Sequence, residues 1–141
     1  MKKIIFLDRD GTIIIEPQPD KQVDSFEKLS FIPGVLKYLE KINNELGYSI
    51  VLVTNQDGLG TDSFPKEKFW PIQNFIVNTL KNENINLIDV LIDSSFEHQK
   101  LETRKPRLGM VYKYINDSEV DLKSSFVIGD RDTDIIFANN L

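Results

Sequence analysis

The stretch "KKIIFLDRDGT", residues 2–12, contains the apolar run 4–7 and then places Asp8 and Asp10 on either side of an arginine. A short, β-branched apolar run is typical of a strand buried on both faces of a parallel sheet. If this strand ends at about Asp8, both acids lie on the loop at its carboxyl end. Ligands of open α/β sheets bind beyond the carboxyl ends of the strands. The stretch therefore predicts a buried strand that delivers two carboxylates to a binding crevice.

Three further apolar runs have the same character, at residues 50–53, 90–92 and 126–128. Between and after them, apolar residues recur at the spacing of a helix that covers a sheet. This strand–helix alternation predicts an α/β fold, a three-layer sandwich with a central parallel sheet of the Rossmann-like type. The predicted helices cover residues 35–46, 65–80, 108–115 and 135–141.

The helix boundaries are predicted from local signals. The first helix opens after Pro33-Gly34 and stops at Gly47. The second opens at Pro65, after an N-cap at Ser63, and continues beyond a kink at Pro71. No repeat or low-complexity linker interrupts this order, so we expect one domain, 1–141.

Composition narrows the class of protein. Hydrophobic residues make up 40% and charged residues 28% of the 141, which is usual for a globular domain. No apolar run approaches the ~18 residues of a membrane span. The absence of cysteine excludes disulfides and thiolate metal sites. The net charge of -5 disfavours a nucleic-acid surface. We therefore expect a cytoplasmic protein that binds neither membrane nor nucleic acid.

The other predicted strands also end in polar side chains. Thr54 and Asn55 end the second strand, Asp130 ends the fourth, and Lys105 lies in the loop after the third. Crowded carboxylates repel one another unless a cation neutralises them, and carboxylate oxygens suit Mg²⁺. A hydroxyl, an amide and a lysine supply hydrogen-bond donors for an anion with several oxygens. The pattern predicts a magnesium site beside a site for a phosphate anion, and we expect the partner to be a small phosphorylated metabolite.

Four strings resemble the ordered motifs of the haloacid-dehalogenase-like phosphatases: "FLDRDGT", "LVTNQ", "RKP" and "GDRDTD". More narrowly, "EPQPDKQVDSFEKLSFIPGV" and "TNQDGLGTDSFP" resemble the histidinol-phosphate phosphatases, which form the N-terminal half of a bifunctional histidine-biosynthesis enzyme. The resemblance covers nearly the whole chain. It implies a phosphomonoester hydrolase that uses Mg²⁺ and converts histidinol phosphate to histidinol.

The resemblance also implies individual roles. Asp8 would attack phosphorus, and Asp10 would protonate the leaving alkoxide and later activate water. Asp8, the backbone carbonyl of Asp10, and Asp130 would hold the metal ion, with Asp134 supporting that site from behind. The phosphoryl oxygens would be bound by Thr54, Asn55 and Lys105.

The segments that connect the predicted strands and helices are too short to contain a large cap domain. We therefore expect residues 13–30 to recognise the substrate. We expect this segment to form a flap. Within it, Glu16 would meet the cationic amine or imidazole of histidinol phosphate, and the sole histidine, His98, is expected to be a surface residue. Further candidate substrate-binding residues are Gln22, Asp24 and Asp57. The chain stops at the last predicted helix, where the family usually continues into another strand. This favours a domain truncated at its C-terminus and leaves open a fused dehydratase domain.

Other readings of the motifs stay open. A heptose-bisphosphate phosphatase or a polynucleotide end phosphatase would share the chemistry of the first loop, although the latter requires a basic surface. A receiver-type signalling domain also combines an α/β sheet, clustered acids and magnesium. It takes its phosphoacceptor from the end of the third strand, at Asp93, and lacks an acid equivalent to Asp10. The order of motifs here therefore fits a receiver poorly.

One loop departs from its apparent relatives. Many histidinol phosphatases carry a structural zinc ahead of the "RKP" motif, held by three cysteines and a histidine. The corresponding positions here are Asp93, Ser95, Leu101 and Thr103, which cannot form that site. We therefore expect no structural zinc. The loop would be ordered by burial of Phe96 and Leu101, or remain mobile at its tip.

Overall fold

The computed structural model describes residues 1–141. Its four strands are β1 (Ile4–Leu7), β2 (Ser49–Asn55), β3 (Leu87–Asp93) and β4 (Phe126–Ile128). They form one parallel sheet in the order β3-β2-β1-β4. The four helices are α1 (Val35–Glu40), α2 (Lys66–Asn82), α3 (Tyr112–Ile115) and α4 (Asp132–Asn140). The predicted parallel α/β sheet is confirmed.

Side-chain alternation along the strands creates two hydrophobic cores. On one face of the sheet, Ile5 and Leu7 pack with Leu39 of α1 and with the buried side of α2. On the other face, Ile4 and Phe6 of the same strand pack with residues of α3 and α4, including Tyr114 and Phe137. The central strand is therefore buried on both sides between layers of helices, and the predicted three-layer sandwich is confirmed.

Several boundaries differ from the prediction. The first helix begins after Gly34 as expected, but residues 41–45 continue it as a π-helical turn. Pro65 precedes α2 directly, and the Ser63 hydroxyl lies 2.8 Å from that of Thr61, so the predicted cap at Ser63 is wrong. Residues 108–115 form a 3₁₀ turn followed by the single turn α3 instead of one continuous helix.

No large cap domain interrupts the sheet, as predicted. The segment between β1 and α1 packs against the core through Ile13, Ile14 and Val23, all of which are buried. Some of its polar residues, including Glu16 and Gln22, line an open cleft. None of the helices combines the length and the apolar character that crossing a membrane would require.

Candidate active site

The floor of the cleft is built around Asp8, the residue that follows β1. Its backbone N–H donates to the Ile128 carbonyl at 2.9 Å, which fixes the loop to β4. Lys105 donates from Nζ to Asp8 Oδ1 at 3.0 Å and to Asp134 Oδ1 at 2.9 Å. Both Asp8 and Lys105 are buried, at 8% and 5% exposed. Three parts of the chain that are distant in sequence thus meet at one ion-paired centre.

Carboxylate oxygens of Asp8, Asp130 and Asp134 all lie within 4.8 Å of one another. Two glycines make this approach possible. A Cβ at Gly11, where φ is +81°, would lie 2.0 Å from Asp130 Oδ2, and one at Gly129 would lie 2.2 Å from Asp134 Oδ2. Clustered carboxylates are the hard oxygen donors that Mg²⁺ prefers, so the residues fit the predicted ion. Asp134, expected behind the metal site, lies within this acidic cluster itself.

The acidic cluster carries more negative than positive charge. Burial raises the pKa of Asp8 to about 6; the Lys105 ammonium opposes this rise and the Asp134 carboxylate adds to it. Among these three acids, the buried Lys105 binds only Asp8 and Asp134, and Arg131 approaches Asp130 at 3.5 Å from a more exposed position. A bound cation would relieve this excess by favouring the charged form of each carboxylate.

Asp10 has different surroundings from Asp8. Its carboxylate accepts hydrogen bonds from Arg9 Nε at 3.1 Å, from Arg9 Nη2 at 3.0 Å and from Gln56 Nε2 at 2.6 Å. The Asp10 carboxylate also lies outside the cluster formed by Asp8, Asp130 and Asp134. The predicted metal ligand of this residue is its backbone carbonyl, to which no backbone N–H donates.

Of the predicted phosphate-binding residues, Thr54 and Asn55 differ in burial and in hydrogen-bond partners. Thr54 is buried at 1% exposed, does not line the cleft, and accepts a hydrogen bond from Gln56 Nε2 at 2.9 Å, which leaves its own hydroxyl proton free. Asn55 pairs reciprocally with the backbone of Lys105: Nδ2 donates to the carbonyl and Oδ1 accepts from the N–H, each at 3.1 Å. The Asn55 side chain therefore fixes the base of the loop that carries Lys105.

The cleft has a volume of about 630 Å³ and a wall rich in charged side chains. Two of the predicted substrate residues, Glu16 and Asp57, line it but are already paired, Glu16 with Arg131 and Asp57 with Arg104 at 2.6 Å. Each acid therefore has a partner that a cationic substrate would have to displace or share.

The other two predicted substrate residues differ from each other. Gln22 lines the cleft and donates from Nε2 to the Ser63 carbonyl at 3.1 Å. Asp24 does not line it and pairs with Lys28 at 2.8 Å. His98 also lies outside the cleft lining, exposed and stacked on Phe96 with ring centroids 5.7 Å apart.

A hydrogen-bonded cluster closes the loop where the relatives were expected to differ. The buried Asp93 carboxylate accepts from the N–H and hydroxyl of Ser95 and, at 2.6 Å, from the Thr103 hydroxyl. Three of the four positions aligned with zinc ligands thus bind one another. Leu101 is 45% exposed, so its expected burial is wrong, while Phe96 is half-buried, close to Gly58.

Sequence reasoning missed the two partners of Asp10, Arg9 and Gln56, and the α2 residue Gln73, which binds Arg9. The guanidinium of Arg9 is fully buried and donates from Nη1 to Gln73 Oε1 at 2.9 Å. One signal was available: an arginine two positions beyond an apolar buried strand needs acceptors if it is buried, because an unpaired buried charge is costly.

Similarity to known proteins agrees with this geometry. Residues 3–140 match the family described as polynucleotide kinase 3 phosphatase. The chain is 54% identical over 140 residues to the histidine biosynthesis bifunctional protein HisB of Bacteroides fragilis, and 52% identical over 141 residues to that of Spirosoma linguale. These alignments cover 99% and 100% of this chain but only 37% of each relative.

Among solved structures, the D,D-heptose 1.7-bisphosphate phosphatase from B. bronchiseptica, complexed with magnesium and phosphate, superposes with a TM-score of 0.82 at 25% identity, covering 98% of this chain and 75% of that one. The family match spans nearly the whole sequence, and the shared fold places the four motifs at one edge of the sheet. The chain therefore belongs to the polynucleotide kinase 3 phosphatase family, within the haloacid-dehalogenase-like phosphatases.

Proposed function

We propose that this domain is a Mg²⁺-dependent phosphomonoester hydrolase that converts histidinol phosphate to histidinol through an aspartyl-phosphate on Asp8. The observation that carries the proposal is the buried Asp8 carboxylate, bound by Lys105 inside a cluster of three acids. The identity of 52–54% to HisB proteins supports the substrate.

In the first step, a carboxylate oxygen of Asp8 attacks phosphorus while the bond from phosphorus to the ester oxygen breaks. Asp10 enters the cycle protonated, on the Oδ1 lone pair that Arg9 leaves free, and gives this proton to the departing alkoxide, which leaves as the alcohol. In the second step, Asp10 takes a proton from water, whose oxygen attacks the same phosphorus. Inorganic phosphate leaves and the Asp8 carboxylate is regenerated, so each residue returns to its starting state.

Donors around Asp8 would bind the phosphoryl oxygens. Lys105 Nζ already lies within hydrogen-bond distance of Asp8, and the free hydroxyl proton of Thr54 is a second donor. Asn55 would serve two purposes: one N–H of its amide holds the Lys105 carbonyl, and the second N–H is left to donate to a phosphoryl oxygen in the cleft that Asn55 lines. Charge-assisted donors of this kind stabilise the charge that develops on a transferring phosphoryl group.

Asp8, Asp130 and the Asp10 carbonyl would hold Mg²⁺, with Asp134 completing the acidic cluster. The bound ion would supply positive charge next to the phosphoryl oxygens. The relative with TM-score 0.82 was crystallised with magnesium and phosphate, which supports this choice of ion.

Recognition of the substrate amine or imidazole would use Glu16 and Asp57, with Gln22 beside them. Both acids are paired to arginines here, so a cationic substrate group would compete with Arg131 and Arg104. We leave Asp24 out of this group because it pairs with Lys28 outside the cleft lining.

A polynucleotide end phosphatase is the second candidate. One feature favours it besides the family description: Lys21, Lys100 and Arg107 line the cleft without forming a salt bridge. The net charge of -5 opposes a strand-guiding surface. A receiver domain is disfavoured because Asp93 is bound by Ser95 and Thr103.

A panel of phosphomonoesters tests the proposal. Histidinol phosphate, a heptose bisphosphate and a 3′-phosphorylated oligonucleotide are assayed with Mg²⁺ and again with EDTA. We expect the highest kcat/KM for histidinol phosphate and loss of all activity in EDTA. Equal, feeble rates on every substrate would overturn the specificity but not the phosphatase class, and preference for the oligonucleotide would support the second candidate.

Two further expectations accompany the proposal. No structural zinc is expected, and stoichiometric zinc in protein purified without chelators and passed through gel filtration would contradict this. A fused dehydratase domain stays a prediction, supported by relatives that are called bifunctional and of which this chain matches 37%. The mass of the protein isolated from its natural source checks it.

A further inference from the structure

Arg9 is the second residue beyond the end of β1, and its side chain is 0% exposed. Two of its nitrogens bind the two oxygens of the Asp10 carboxylate, at 3.1 and 3.0 Å. This two-point contact fixes both the position and the plane of the carboxylate, which a single donor cannot do. Arg9 thus determines the rotamer of the residue proposed to carry the proton.

The guanidinium is itself held from three sides. Gln73 of α2 accepts from Nη1 at 2.9 Å, Gln56 accepts from Nη2 at 3.4 Å, and the ring of Phe69 lies 5.1 Å away. Gln56 also donates to both Asp10 and Thr54. One buried network therefore connects α2, the Asp10 carboxylate and the Thr54 hydroxyl.

Stability alone does not account for this arrangement. Taking a guanidinium and a carboxylate out of water costs several kcal/mol per ion, and replacing such buried pairs with apolar residues of similar volume is often neutral or stabilising. The guanidinium binds Asp10 directly, and Gln56 binds both the guanidinium and Asp10. Gln73 binds the guanidinium alone and holds it in place. What the network provides is therefore a fixed orientation of Asp10 towards the cleft.

We propose that Arg9 is a positioning residue for the reaction: it acts through Asp10, by holding that carboxylate in the geometry needed for proton transfer. This inference rests on the proposed phosphomonoesterase activity. Displacement of a catalytic group by about 1 Å can cost roughly 10²-fold in rate. Arg9→Met should therefore lower kcat by roughly 10–100-fold while KM changes little.

A double-mutant cycle tests whether Arg9 acts through Asp10. Wild type, Arg9→Met, Asp10→Asn and the double variant are compared on an alkyl phosphate with Mg²⁺. If the two residues act as a unit, Arg9→Met removes little further activity once Asp10 is Asn. An equal fold-loss in both backgrounds would overturn the proposal. Inactive wild-type protein would instead overturn the proposed function, so the two failures are distinguishable.

A second test compares the loss of activity on substrates with different leaving groups. A purely structural role of Arg9 would lower the activity on all of them equally. An aryl phosphate whose phenolate leaves without a proton should lose less activity in Arg9→Met than the alkyl phosphate does. Equal losses on both substrates would count against the proposal. Val120→Ala controls for general destabilisation. Val120 is buried in the core that contains Ile4 and Phe6, and its backbone pairs with Lys2 at the amino end of the sheet, away from the site. The variant's ratio of aryl to alkyl activity should match that of wild type.

Arg9→Lys decides the question if Arg9→Met fails to fold. Lysine keeps the buried charge but cannot make the two-point contact. We expect a folded protein with reduced kcat on the alkyl phosphate and the same non-additivity with Asp10→Asn. Wild-type kcat in Arg9→Lys would show that charge, not orientation, is what Arg9 contributes, and would overturn the proposal.

Discussion

Asp8 and Asp10 are two residues apart, yet their carboxylates have opposite surroundings. Asp10 accepts three hydrogen bonds from Arg9 and Gln56, so its charge is matched within the protein. Asp8 shares one buried lysine with Asp134 and lies near Asp130 as well, so negative charge is in excess there. An acid whose partners are all internal has a fixed position, whereas an acid in an uncompensated cluster attracts an external cation.

The largest effect should come from the acid in the uncompensated cluster. Asp8→Asn keeps the shape of the side chain but removes the anionic nucleophile. We expect turnover to fall by on the order of 10⁴-fold or more, with no phosphoenzyme trapped on rapid quenching. Retention of more than a few per cent of activity would refute the assignment. Asp117→Asn, at an exposed position, is the control.

Lys105→Ala sharpens the comparison, because it removes the buried cation that Asp8 and Asp134 share. We expect kcat/KM to fall by roughly 10²–10³-fold, as when one donor to a transition-state anion is lost. The affinity for Mg²⁺ should instead rise, since the acidic cluster then carries one more uncompensated charge. Steady-state kinetics and calorimetric titration with Mg²⁺ measure the two. The exposed Lys37→Ala should change neither, and unchanged kcat/KM in Lys105→Ala would make Lys105 an ordinary lysine.

The surroundings of Asp8 were largely predictable from the sequence, whereas those of Asp10 were not. The apolar run 4–7 located β1, and the rule about carboxyl ends brought Asp8, Asp130 and Lys105 to one crevice. The network around Asp10 depends on side-chain packing between residues far apart in sequence: Gln56 binds Asp10 from 46 positions away, and Gln73 binds Arg9 from 64 positions away. No local pattern encodes such a contact.

Other differences between prediction and structure also have local causes. β3 begins at Leu87, earlier than predicted, since Asp89 interrupts the apolar run but is bound by the Tyr114 hydroxyl. The bond between the Asn55 side chain and the Lys105 backbone was not predicted, because it spans 50 residues and leaves no mark in the sequence. The pattern of polar residues predicted which residues lie close together, but not which of their atoms form hydrogen bonds with one another.

Asp93 extends the comparison to an acid whose partners are again internal, but which lies outside the acidic cluster. Asp93→Ala should lower the free energy of unfolding by roughly 1–3 kcal/mol, because it removes three hydrogen bonds and leaves the hydroxyls of Ser95 and Thr103 without their acceptor. Urea unfolding followed by circular dichroism measures this. Asp93→Asn, which keeps one acceptor oxygen, should lose less; equal stability of Asp93→Ala and wild type would contradict the expectation.

The smallest effect concerns Tyr114, which donates to Asp89 at 2.6 Å. Burial and the Asp89 carboxylate raise the pKa of its hydroxyl above the ordinary value near 10. The protonated hydroxyl is therefore favoured by folding, and its contribution is complete below pH ~10 and lost as pH rises above it. Tyr114→Phe should cost about 1 kcal/mol at neutral pH.

Repeating the unfolding measurement of Tyr114→Phe above pH 10 tests the origin of that difference. The gap in free energy of unfolding between wild type and variant should narrow as pH rises, because only the wild type loses the contribution of the protonated hydroxyl. A gap that is constant across this range would show that the lost contact is insensitive to ionisation.

Gly11 and Gly129 constrain how this site can change over generations. Any side chain at either position meets a carboxylate of the acidic cluster within van der Waals contact, at Asp130 or Asp134. A single substitution there cannot adjust the cluster gradually, because even alanine displaces an acid. Variation of the acids must therefore arise at their own positions or in concert with these glycines, and both glycines should be nearly invariant in a library selected for activity.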